Sequence, residues 1–167
     1  MKSRVRHTSG FTLTELLVVI GIIALLASII IAGSASSRKT SRDARRIADI
    51  GQISVALESY YASNQAYPTT GGAWFSLCDG THTATGATGY VPGLATTYIG
   101  VLPRDPSGCP SAAGLFQGYG YRSDGTNYKV AAIAEIGVEC ASGKSYYDQG
   151  NHDIKFCSVY TPAAAAW

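Results

Sequence analysis

At 167 residues the chain has the length of one domain with room for an appendage. A 46% apolar and 14% charged composition excludes a polar disordered chain. The balance of 13 Lys+Arg against 11 Asp+Glu excludes a nucleic-acid binder that works by bulk charge.

The charges are segregated along the chain. Residues 1–10 carry Lys2, Arg4 and Arg6 with no acid. Residues 16–33 form 18 positions without a charge. As a helix they cover about 27 Å, the thickness of a bilayer core. They have no polar face, which argues against a helix lying on a membrane surface. A buried core helix fits the pattern equally well, but a basic tip before the run favours membrane insertion with that tip in the cytoplasm. A secretory signal cleaved near Ala32-Gly33-Ser34, or an uncleaved anchor, would share this layout. Glu15 argues against both, because a carboxylate at the edge of such a run is costly and marks function.

Residues 38–50 hold a basic collar of Arg38, Lys39, Arg42, Arg45 and Arg46, diluted by Asp43 and Asp49. Two readings compete: a solvated interfacial helix face, or pairing with an acidic neighbouring subunit. DNA binding is disfavoured, since no aromatics interleave the cluster. Beyond it, Ile47, Ile50, Leu57 and Tyr61, with Ser54 between and Ile53 and Tyr60 widening the stripe, recur at helical spacing. Tyr67-Pro68 predicts a helix end near Asn64. From Gly51 onward there are 5 basic and 8 acidic residues and all 11 tyrosines, so a mildly acidic, Tyr/Gly-rich head is expected.

Residues 65–115 are rich in Gly, Ser, Thr and Pro and read as a long irregular connection with short pieces of structure, Pro103, Pro106 and Gly108 marking a turn. Residues 116–122 and 127–133 alternate as strands, and Asp124-Gly125 between them is a hairpin signal. A third strand is expected over about 154–160. Cys78, Cys109, Cys140 and Cys157 all lie in the head, and four in an exported domain imply two disulfides with three possible pairings. Zinc is disfavoured because no CxxC pair is present. No GxSxG, HExxH or P-loop pattern occurs, and His7, His82 and His152 have no nucleophile frame around them, so no enzyme is expected.

The stretch Ser9-Gly10-Phe11-Thr12-Leu13-Thr14-Glu15, followed by an unbroken apolar run, closely resembles the processing motif of type IV pilins and type II secretion pseudopilins. YYASNQAYPTT, YIGVLPRDPSG and GYGYRSDGTNYKVAAI are similar to their helix end, pre-sheet turn and first hairpin. The likeness is strong at the N-terminus and moderate over 58–68 and 98–130. It implies an α+β fold, with a long N-terminal α-helix whose first half is transmembrane and a small antiparallel sheet head. Its parts would be a leader at 1–10, a membrane or filament-core helix at 11–33, an amphipathic continuation at 34–64, the connection at 65–115 and the sheet region at 116–167.

The resemblance also implies a function. A prepilin peptidase would cut between Gly10 and Phe11 and methylate Phe11, and the mature chain would then polymerise with itself. The expected product is a pilus-like filament. The alternatives are the major pseudopilin of a type II secretion system and a DNA-uptake pilin. Other implied partners are the lipid bilayer before assembly and an inner-membrane assembly platform; no nucleic acid is expected. The subunit would move from the inner membrane to an extracellular pilus or periplasmic pseudopilus. The Phe11 amine created by cleavage would pair with Glu15 of a neighbour, since either charge alone in lipid is costly.

Relatives close a C-terminal loop with a disulfide, which implies Cys140–Cys157 and leaves Cys78–Cys109 to pin the connection. Many relatives carry a proline about twenty residues into the mature helix. This chain has Ala32-Gly33 there, so Gly21 and Gly33 are its helix-weakening positions. Major pseudopilins bind calcium in an Asp-rich C-terminal loop, and Asp148, Asn151 and Asp153 offer oxygen ligands. The spacing is not that of an EF-hand, and a polar turn accounts for the segment. Neither a metal nor another cofactor is assigned.

Overall fold

Helix α1, Leu13–Asn64, is one element of 52 residues. The computed structural model describes residues 11–109, 118–150 and 155–167, the side chains of 29–34 excepted. Two compact units divide within α1, at 38/39. In the first unit the described apolar side chains of α1 are largely exposed. Among the described residues no helix is long and apolar enough to cross a membrane. The second half of the charge-free run identified in the sequence passes into residues 29–34, whose side chains lie outside the description. The leader, including Gly10, also lies outside it.

In the second unit, α1 ends where the chain cannot continue as a helix. Gln65 turns into left-handed backbone (φ 56°), its N–H still donating to the Tyr61 carbonyl at 2.8 Å. Pro68 follows and excludes further helical bonding. Four strands form one antiparallel sheet in the order β1-β2-β3-β4: Phe75–Ser76, Tyr119–Ser123, Tyr128–Ile133 and Phe156–Tyr160. The β2–β3 hairpin pairs Ser123 with Tyr128. The Asp124 carboxylate accepts from the N–H groups of Thr126 and Asn127 at 2.8 and 2.7 Å, and Gly125 takes a φ of 94° that L side chains rarely adopt.

Alternation along the strands aims Tyr119, Tyr121, Tyr128, Val130 and Ala132 into a core shared with Ile50, Ile53, Ala56 and Leu57 of α1. Tyr61, expected on this stripe, is instead 38% exposed and stacks on Tyr67 with ring centres 4.8 Å apart. The described part of the 65–115 connection carries short pieces of structure. It supplies edge strand β1 and buries Tyr90, Val91, Leu94 and Leu102 completely. Two residues are too short for period-two alternation to show in a sequence, and β1 is held by its neighbour β2.

Candidate functional site

The N-terminus of α1 is organised by the residues of the processing motif. The Thr12 N–H donates to Glu15 Oε2 at 2.9 Å and its hydroxyl donates to the same oxygen at 2.7 Å. The Glu15 N–H returns a bond to Thr12 Oγ1 at 3.2 Å. This is a capping box: a Thr–x–x–Glu pair satisfies helix-end donors reciprocally and places a carboxylate at the positive end of the helix dipole. The Thr-x-x-Glu spacing of this box is legible in the sequence. Phe11 is 83% exposed and, with Thr14, Glu15, Val18 and Val19, lines an open groove. Leu16, Leu17, Ile20, Ile22, Ile23, Leu25 and Leu26 continue the exposed apolar surface.

The collar is only partly the solvated or inter-subunit face that its charges suggest. Arg46 is 3% exposed and forms a two-pronged bond to Asp105, Nε to Oδ2 at 2.7 Å and Nη2 to Oδ1 at 2.8 Å. Its remaining donors reach Asp43 at 2.8 Å, Ser107 at 2.8 Å and Glu135 at 3.3 Å. Arg42 makes a second two-pronged pair with Glu135 at 2.5 and 2.6 Å. Asp43 accepts from the backbone N–H groups of Glu135, Ile136 and Gly137. The node therefore ties the helix to the 103–109 turn and to the segment after β3. Arg45 remains 66% exposed, 3.7 Å from Asp49.

The node sets the ionisation of its members. Bonds and charge from Arg42 hold the Glu135 carboxyl down at about 2, against the opposing effect of burial. Burial raises the Asp43 carboxyl, but the three N–H groups and Arg46 outweigh it, leaving it below its ordinary value. Burial lowers the Arg46 guanidinium, and Asp105 with its other carboxylate partners reverses this, so it stays charged.

Both disulfides form as Cys78–Cys109 and Cys140–Cys157. Asp79 receives the N–H groups of Ser76, Thr81 and His82, and the His82 ring bonds its carboxylate and stacks on Phe75. These contacts make His82 a loop anchor. Of the candidate calcium residues, Asn151 and Asp153 lie outside the described residues. Asp148, 2% exposed, holds the ammonium of Lys129 at 2.6 Å. Among the described residues no group of three His, Cys, Asp or Glu side chains could hold a metal.

Residues 5–31 match the family model described as a prokaryotic N-terminal methylation motif. The chain is 34% identical over 150 residues to the type II secretion system core protein G of Aeromonas hydrophila, covering 90% of this chain and 96% of that one. The chain belongs to the type IV pilin and type II secretion pseudopilin family. Core protein G of Vibrio cholerae is 29% identical over 80% of this chain and 93% of its own length. The type IV wide pilus major component PilA4 of Thermus thermophilus is 38% identical over 72 residues, 43% of this chain and 55% of that one. No solved structure matches the chain significantly. The pilin-like α+β architecture expected from the sequence is the one observed, a long N-terminal helix and a small antiparallel sheet.

Proposed function

We propose that this pilin-family chain is a structural filament subunit, made as a membrane-held precursor, cut between Gly10 and Phe11, methylated at Phe11 and polymerised through the apolar part of α1. The observation that carries the reading is the exposed apolar surface from Phe11 through Leu26, headed by a single carboxylate. A surface of that kind must be covered, by lipid before assembly and by copies of the same segment afterwards. Glu15 already accepts two bonds from Thr12 in the single chain. The positive Phe11 amine of a neighbouring subunit supplies the charge that those bonds do not, and the pairing sets the axial register between subunits. A prepilin peptidase and an inner-membrane assembly platform are the partners this route requires. The mildly acidic head, with 5 basic and 8 acidic residues beyond Gly51, supports a structural role over DNA capture.

Intact-mass measurement of the mature protein tests the processing, with N-methylated Phe11 as the expected first residue. A start at Met1, or after Ala35, would overturn it. Glu15→Val is expected to stay in the membrane and lose filament yield; a wild-type yield would remove the register role.

One observation favours the secretion filament over the surface pilus: core protein G of Aeromonas hydrophila matches along nearly its whole length, whereas PilA4 matches over 72 residues. Deletion of the gene separates the two. Retention of exported enzymes in the periplasm supports the secretion filament, and loss of surface filaments with normal secretion supports the pilus.

A further inference from the structure

Lys129 occupies the position in β3 opposite Arg122 of β2 and Tyr160 of β4. Its neighbours Tyr128 and Val130 point into the core, so alternation puts Lys129 on the other face, where a lysine is ordinarily solvated. Yet it has no exposed surface. Its Nζ donates to Asp148 Oδ1 at 2.6 Å, to the Trp167 main-chain oxygen at 2.7 Å and to the Ala165 carbonyl at 3.3 Å. An ammonium has three protons, and here each has an oxygen. The Tyr160 ring lies 5.4 Å from Nζ, and Arg122 covers the Trp167 ring at 4.9 Å. Gly150 donates to the same Asp148 oxygen at 2.9 Å, and a Cβ at Gly150 would stand 2.6 Å from the Trp167 oxygen. The 141–150 segment and the 161–167 tail therefore converge on one buried positive charge.

We propose that Lys129 is the built-in cation of the C-terminal region, gathering the oxygens that a bound metal ion would gather, and that this part of the head folds without calcium. The calcium implied by the family does not fit the described member of its candidate ligand set. That member, Asp148, already holds an ammonium, and a divalent ion on the same carboxylate would meet like charge in a site removed from water.

The test is thermal unfolding of the mature full-length chain in detergent, with EDTA and with about 5 mM calcium, a concentration above the weakest extracellular calcium sites. The two midpoints are expected to agree within about 1 °C, because an ion bound far above its dissociation constant would move them by several degrees. A calcium-dependent rise of several degrees, or calorimetric binding of one calcium per chain, would overturn the proposal. Lys129→Met should lower the midpoint and open the tail to carboxypeptidase. The double variant Lys129→Met/Asp148→Leu should recover most of that loss, since removing both members of a buried pair spares the orphaned charge. A double variant as unstable as the single one would refute the charge-compensation role.

Discussion

At the residue scale, Arg46 shows how burial converts a surface residue type into a structural one. Its guanidinium satisfies Asp105, which is also almost fully buried, so truncating the arginine strands a carboxylate away from water. Arg46→Met should therefore destabilise the head by about 3–5 kcal/mol. Arg45 sits one position earlier, and its 3.7 Å contact to Asp49 is screened by solvent. Arg45→Met should change stability by less than about 0.5 kcal/mol. Urea unfolding of the two variants reads the difference directly, and equal midpoints would show that the node contributes no more than a surface pair. The assignment was partly visible in advance: positions 46, 50, 53 and 57 share one helical face, so Arg46 is in phase with Ile50, Ile53 and Leu57. What a sequence does not display is the partner, because Asp105 and Glu135 arrive from loops 59 and 89 residues away.

At the element scale, the parts with strong local periodicity were legible and the parts held by distant contacts were not. Helix α1 and the β2–β3 hairpin announce themselves through apolar spacing, Tyr67-Pro68 and Asp124-Gly125. Strand β1 and the folded course of the 65–115 connection have no such signal, since Tyr90, Val91, Leu94 and Leu102 are ordered by the core they enter. Lys129 was equally hidden: alternation places it on the outer face, and the 141–150 segment and the 161–167 tail close over it there. The Cys78–Cys109 bridge links 31 positions of the chain across this connection, and Cys140–Cys157 links 17. Chain entropy assigns the two closures about 3.7 and about 3.1 kcal/mol. Replacing Cys78 and Cys109 by serine should cost more than the same change at Cys140 and Cys157. The larger loop also carries the four core residues with it, which widens the gap. Denaturant midpoints of the two double-serine variants decide the order, and a larger loss at Cys140 and Cys157 would mean that the connection is held mainly by its apolar contacts.

At the scale of the whole molecule, the opposed charges and buried phenols of the head define a pH window for stability. Glu135 lies at about 2 in the folded state against an ordinary value of 4.5, and Asp43 is also lowered, so the unfolded chain binds more protons in acid. Their contribution is complete above about pH 4.5 and fades as the pH falls toward about 2. On the alkaline side, burial raises Tyr90, Tyr119, Tyr121 and Tyr128 well above their ordinary value, the Asp49 carboxylate adding to the effect at Tyr90 and Tyr119. Tyr67 is pushed up to about 12 by burial and by Glu58. The phenols anchor the sheet to the helix: Tyr119 donates to Asp49 at 2.5 Å, and Tyr67 and Tyr128 donate to Glu58 at 3.2 and 3.1 Å. Each raised phenol leaves the folded state with more bound protons above pH 10, so its contribution is present below about pH 10 and is lost as the pH rises through the folded values. The urea midpoint should accordingly hold a plateau between about pH 5 and pH 9 and fall at both ends. A spectrophotometric titration of tyrosinate gives the sharper reading of the alkaline limb. These five should ionise only together with loss of the β-sheet circular dichroism. Ionisation of these five near pH 10 in a still-folded chain would mean that the phenol–carboxylate ties to α1 are open to solvent.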